Sequence, residues 1–282
     1  NGRYASLGLV GGVPVIAYRA AVATMAGFNA VVRLARANNA APTSPADWTL
    51  SDVATLASAC RPAECATGTV CLRTGRCGPM PMATSEVFDR TTVEALTPGA
   101  HYINLVAAAD GRLAVVWYHR DRGNLMLARG DMMGRFSAPV VLDGEGAMMR
   151  DTGDRGIYAT AAFDREGLLH VAYVDGWDEG LMYLRVRDGV PMGAPESVDD
   201  GAGVESMTFD DGRHIVGDSA SLSVATDGTV RVAYQDTTVG TLRLATRGAM
   251  GWTRTVLDRM NHTGYWATTA AGARATKLSL AS

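Results

Sequence analysis

Residues 156–201 read GIYATAAFDREGLLHVAYVDGWDEGLMYLRVRDGVPMGAPESVDDG. Four apolar runs stand out: Tyr158–Phe163, Leu168–Val174, Leu181–Val186 and Glu196–Val198. Between them lie Asp164-Arg-Glu-Gly167, Asp175-Gly176 and Asp188-Gly189. Glycine takes left-handed angles without steric cost, and aspartate hydrogen-bonds its own backbone, so these segments mark tight reversals. Short strands joined by tight turns predict one antiparallel meander. A single sheet of this size is not stable alone. The chain supplies sisters for it to pack on.

Residues 2–18 (GRYASLGLVGGVPVIAY), 99–118 (GAHYINLVAAADGRLAVVWY) and 217–234 (GDSASLSVATDGTVRVAY) each read as strand, glycine turn, strand. With the 156–201 unit they end on Tyr18, Tyr118, Tyr173 and Tyr234, which lie 100, 55 and 61 residues apart. A third strand follows each time, at Val32–Arg36, Leu125–Arg129, Leu181–Arg185 and Leu242–Thr246. A fourth begins near Trp48, Phe136, Gly193 or Trp252. Repeated four-stranded units of this period predict an all-β fold, a β-propeller of four-stranded antiparallel blades. Runs such as Leu-Leu-His-Val-Ala-Tyr at 168–173 are apolar on both faces. A blade covered on both sides tolerates that; a two-sheet sandwich demands stricter alternation. Four blades are complete, and residues 264–282 read as a remnant. The expectation is one propeller domain over 1–282 with about five blades, or more if upstream sequence is missing. The long first gap holds an insertion at 56–97.

These repeats resemble the secreted β-propeller proteins of Gram-negative bacteria. The pattern G-x-Y-x-S-L-x-x-x-x-G-x-P-x-[IV]-A-Y is matched by Gly2, Tyr4, Ser6, Leu7, Gly12, Pro14, Ile16, Ala17 and Tyr18. The form G-x-L-H-V-A-Y-x-D is matched by Gly167, Leu169, His170, Val171, Ala172, Tyr173 and Asp175. The resemblance implies the fold and an exported protein, and says little about activity. The chain is loosely similar to sialidase-type repeats, but it lacks the S-x-D-x-G-x-T-W box and an assignable arginine triad.

The chain has 282 residues, 47% hydrophobic, with net charge −3. That balance gives no basic face for nucleic acid. No run approaches the ~18 apolar residues of a membrane span, although a lipid anchor upstream fits the pattern. The sequence opens at Asn1 without a secretion signal, which reads as a processed or trimmed product. All four cysteines, Cys60, Cys65, Cys71 and Cys77, fall in the insertion. Their spacings are wider than the short knuckles zinc prefers, and no histidine is near, so disulfides are expected over a zinc site. Of three possible pairings, Cys60–Cys71 with Cys65–Cys77 is favoured. Disulfides place the protein in the periplasm, at the outer membrane or outside the cell.

Loops entering the first strand of a blade and turns joining its second and third strands share one end of the sheet, the usual ligand face. His101, His214 and His262 fall near entering loops and His119 ends a second strand, while His170 lies inside a strand. Four histidines on one face predict a divalent transition-metal site or an acid–base pair, against independent polar-loop histidines. Asp175 and Asp236, and nearby Asp121, sit just after the blade tyrosines. Such aspartates cap their own turns or contact a ligand or calcium. The pairs Asp199-Asp200 and Asp210-Asp211 read as solvated loop charges. Tyr102, Tyr158 and Tyr265 recur at one blade position, as packing between blades or as ligand contacts. Trp177, in the turn Asp175–Asp178, has no counterpart in the repeat and is the leading ligand contact. The ligand-binding set is therefore Trp177, Asp175, Asp178, Asp236 and Tyr102. No G-x-S-x-G, H-E-x-x-H, P-loop or dinucleotide motif is present.

The expected function is a secreted or surface-exposed binding module whose partner is an extracellular glycan, peptide or protein. The alternatives are a propeller lyase or hydrolase, or a metal-binding protein, using the axial histidines. No cofactor is required, and a divalent metal, calcium or a transition ion, is the one the pattern admits.

Overall fold

The computed structural model describes residues 3–24, 27–56, 65–71, 77–80, 99–120, 122–146, 152–202 and 213–259. The chain divides into two compact units, residues 1–107 with 111–156, and residues 108–110 with 157–282.

In the first unit, β1 (Arg3–Val10), β2 (Val13–Thr24), β3 (Gly27–Ala37) and β4 (Trp48–Thr55) pair in order as one antiparallel blade. A hairpin of β5 (Thr69–Cys71) and β6 (Cys77–Pro79) follows, within the expected insertion. It is closed by a disulfide between Cys65 and Cys77. That is one half of the favoured pairing; Cys60 lies outside the described residues. A second blade comprises β7 (Ala100–Ala107), β8 (Leu113–His119), β9 (Asn124–Gly130) and β10 (Val140–Asp143).

The second unit holds two more blades. One is β11 (Arg155–Phe163), β12 (Leu169–Asp175) and β13 (Gly180–Arg187), whose outer edge pairs with two short strands, β14 (Val190–Pro191) and β15 (Glu196–Asp199). The other is β16 (Val216–Val224), β17 (Val230–Asp236), β18 (Thr241–Gly248) and β19 (Gly251–Arg259). The remnant at 264–282 lies outside the described residues.

Central strands β8 and β12 are buried along their whole length, as their apolar double faces predict. In the first unit, Val15, Ala17, Val32 and Leu34 pack against Leu105, Val115, Trp117 and Met126. In the second, Ala172, Leu181, Tyr183 and Val198 pack against Val216, Val230, Val232 and Tyr234. A side-chain hydroxyl adds a directed bond between neighbouring blades. Ser6 Oγ accepts from the Leu105 amide at 3.0 Å, and Thr160 Oγ1 accepts from the Leu222 amide at 3.2 Å. Both acceptors occupy the same place in the first strand of their blades.

Each first strand is also bent at one position. Tyr4, Tyr102, Tyr158 and Ser219 have φ of 54°, 53°, 53° and 54°. Register shifts mark the spot at Arg3/Ser6, His101/Asn104 and Asp218/Ser221. A bulge puts two residues opposite one and re-aims their side chains. The glycine of the G-x-Y pattern precedes it for a steric reason: at Gly217, with φ +106°, a Cβ would lie 2.6 Å from Val174 Cγ2.

No helix among the described residues is long and apolar enough to cross a membrane.

Candidate functional site

Because each blade is a meander, the start of its first strand, the end of its second and the turn that follows lie at one end of the sheet. In the first unit this end carries an aromatic cluster. The bulge turns Tyr4 onto the His101 ring, stacked at 4.5 Å between centroids, and brings Tyr102 within 5.5 Å of Tyr4. Tyr118 borders both His101 and Tyr102, and its hydroxyl donates to Asp154 Oδ1 at 2.8 Å. Tyr4 and Tyr102 remain half-exposed, while His101 and Tyr118 are buried.

His101 pairs in register with Tyr118, so His119 is the next residue along β8. Neighbouring residues of a strand point to opposite faces. His101 and His119 therefore face opposite sides of this blade. His119 is buried and neutral at pH 7: burial, and then the Arg122 guanidinium, lower its pKa to about 3.

In the second unit, Asp175 Oδ1 accepts the backbone amides of Trp177 (3.0 Å) and Asp178 (3.3 Å). The carboxylate fixes the turn, and Trp177 stands out from it with 66% of its surface exposed. Asp178 beside it is exposed as well.

The corresponding aspartate of the last described blade is placed differently. Asp236 is buried and its Oδ2 lies 2.7 Å from His214 Nδ1. Arg243 bridges Asp236 to Asp199, with 2.9 Å to Asp199 Oδ2. Asp199 also accepts from the Tyr234 hydroxyl at 2.6 Å and from Arg254 at 2.8 Å. Burial raises the Asp199 pKa, but the Tyr234 hydroxyl, the Gly201 amide and the two arginines outweigh it and hold the carboxyl low. His214 and Asp236 are thus joined in one buried charge network.

Asp218, which no motif marks, sits on β16 immediately before the left-handed Ser219. It is 8% exposed, and the Thr237 hydroxyl donates to its Oδ2 at 2.9 Å. Burial raises its pKa, the Thr237 bond opposes this, and nearby Glu179 adds to the rise. Asp218 occupies the place just before the left-handed residue, where sister blades carry Arg3, His101 and Ile157.

His170, inside β12, lies 2.6 Å from the Tyr183 hydroxyl and 3.2 Å from Asp164, at the other end of its blade. Among the described residues no group of three His, Cys, Asp or Glu side chains is arranged to hold a metal ion. Asp121, His262, Tyr265 and Asp210-Asp211 lie outside the described residues.

No protein-family model and no curated protein matches the sequence. Solved structures do. An exo-β-1,3-galactanase from Clostridium thermocellum superposes with a TM-score of 0.50 at 9% identity, over 91% of this chain and 48% of that one. A GH43 β-1,3-galactosidase superposes with a TM-score of 0.50 at 9% identity, over 92% of this chain and 46% of that one. The chain thus spans about half the length of these two proteins. At such identity the likeness bears on the fold alone: an all-β propeller of four-stranded antiparallel blades.

Proposed function

We propose that the protein is an exported glycan-binding module whose second unit presents Trp177 to a sugar ring. The observation that carries this reading is the exposed indole on a turn pinned by a buried carboxylate. An exposed indole offers a broad apolar face, and a tryptophan side chain has few rotamers to lose on binding. Indole faces suit the C–H face of a pyranose, and the exposed carboxylate of Asp178 beside it supports the reading as an acceptor for sugar hydroxyls. The two structural neighbours are named for galactan and galactoside, which makes β-1,3-linked galactose the first glycan to test. The disulfide between Cys65 and Cys77 supports an oxidising compartment, periplasmic or extracellular.

Glycan-array binding followed by calorimetry tests it. A soluble oligosaccharide is expected to bind, and Trp177→Ala to weaken it at least tenfold, about 1.4 kcal/mol or more. Binding unaffected by that substitution, or no bound glycan at all, overturns the reading.

A further inference from the structure

The turn that carries Trp177 has a twin in the next blade. Asp175 pairs in register with Gly180, and Asp236 with Thr241, so the turns are residues 176–179 and 237–240. Both are pinned alike. Asp175 Oδ1 accepts the Asp178 amide at 3.3 Å, and Asp236 Oδ1 accepts the Val239 amide at 3.3 Å. The last residue of each turn is left-handed: Gly240 has φ 66° and Glu179 has φ 54°. In the second blade, Gly123 holds that place, just before Asn124 pairs with His119, and its φ is 66°. Glycine takes this angle without steric cost and glutamate does not. The turn therefore calls for no glutamate at 179, nor for an acid at 178, where the twin carries Val239. Backbone strain that the fold does not need points to contact with something else.

We infer that the sugar recognised at Trp177 is an amino sugar with a free, protonated amine. Trp177 is 66% exposed, Asp178 beside it is exposed and Glu179 is half-exposed. Neither carboxylate has an ion-pair or side-chain hydrogen-bond partner among the described residues. The Glu179 charge also helps to raise the pKa of Asp218, so it sits against a like charge rather than a cation. An indole face attracts a cation, and a carboxylate is a strong acceptor for an ammonium group. A hexosamine carries its amine directly on the ring, so one ligand offers a C–H face to the indole and a charge to the residues next to it. A neutral sugar leaves both carboxylates uncompensated, and an acidic sugar is repelled by them. The inference rests on the glycan reading and narrows it to a cationic class of sugar.

Nitrogen-15 NMR of the whole chain tests it, with galactosamine, galactose and N-acetylgalactosamine as probes and ethanolamine as the control. The Trp177 indole signal is the one absent from Trp177→Phe. At about pH 6 and low salt, with the carboxyls ionised and the amine protonated, galactosamine is expected to move that signal at about one tenth the concentration that the two neutral sugars need. The double substitution Asp178→Asn with Glu179→Gly is expected to remove this advantage and leave the response to galactose unchanged. It gives residue 179 the glycine that sister turns carry, so the backbone spectrum is retained. Equal affinity for galactosamine and galactose refutes the inference and leaves the glycan reading standing. An advantage that survives the double substitution also refutes it. An equal response to ethanolamine means that charge alone is read, as a lysine side chain would offer it, and overturns the amino sugar. An indole signal that none of the sugars moves overturns the glycan reading and the inference with it.

Discussion

Burial shifts the proton affinity of two side chains in opposite directions. His119 has a pKa of about 3 against the ordinary 6.5, mainly through burial. A base with a lowered folded pKa binds fewer protons folded than unfolded, so stability is full above 6.5 and is lost as pH falls from 6.5 towards 3. Urea midpoints are expected to fall more steeply over this range for the native protein than for His119→Gln; parallel curves would contradict it. Asp218 runs the other way. Its folded pKa is raised above 3.8, so stability is full below 3.8 and is lost as pH rises through the folded value. Asp218→Asn is therefore expected to raise the melting temperature at pH 7, with the gain disappearing below pH 3.8. A lower melting temperature at pH 7 would make Asp218 a structural anchor. Position 218 was visible in the aligned repeats, but its burial was not: that comes from packing around the bulge, and a two-against-one count of residues leaves no mark on composition.

The blade-to-blade hydroxyl bonds belong to the first strand as an element. Thr160→Val keeps the shape and leaves the buried Leu222 amide without its acceptor, which costs about 1–3 kcal/mol. Ser6→Ala does the same to Leu105 in the other unit. Chemical denaturation should show both losses, and a neutral Thr160→Val would mean that water replaces the hydroxyl. The strands themselves were legible. The run Leu168–Val174 predicts β12 to within a residue at each end, and the recurrence of Tyr173 and Leu181 marks two strands that pair with Tyr173 opposite Met182. Their apolar runs are nearly continuous and their turns are chemically marked. The left-handed tyrosines were not legible, because nothing in tyrosine itself favours positive φ. The pattern G-x-Y records the outcome, and the cause is the bulge that packing imposes.

At the scale of the whole molecule, what a single repeat conceals is charge pairing between repeats. Arg243 occupies the slot filled by Met126 and Met182 in sister blades, and by Arg33 in the first. Arg33 finds Asp52 in its own blade at 2.6 Å, half in solvent. Arg243 instead reaches Asp199 on the preceding blade and Asp236 on its own, with both carboxylates fully buried. The local sequences differ little, so the partner in another blade is invisible until the chain is folded. The energetics differ greatly. An exposed pair contributes about 0–1 kcal/mol, whereas removing one member of a buried network leaves an uncompensated charge at about 3–5 kcal/mol. Arg243→Met is therefore expected to destabilise the second unit by about that amount, while Arg33→Met costs within about 1 kcal/mol. Hydrogen exchange separates the two effects: loss of protection in Arg243→Met should concentrate in β15 to β19, the strands tied by the network. Equal losses from both substitutions would mean that Asp199 and Asp236 protonate or find other donors when the arginine is removed, and that the network holds no more than its surface counterpart.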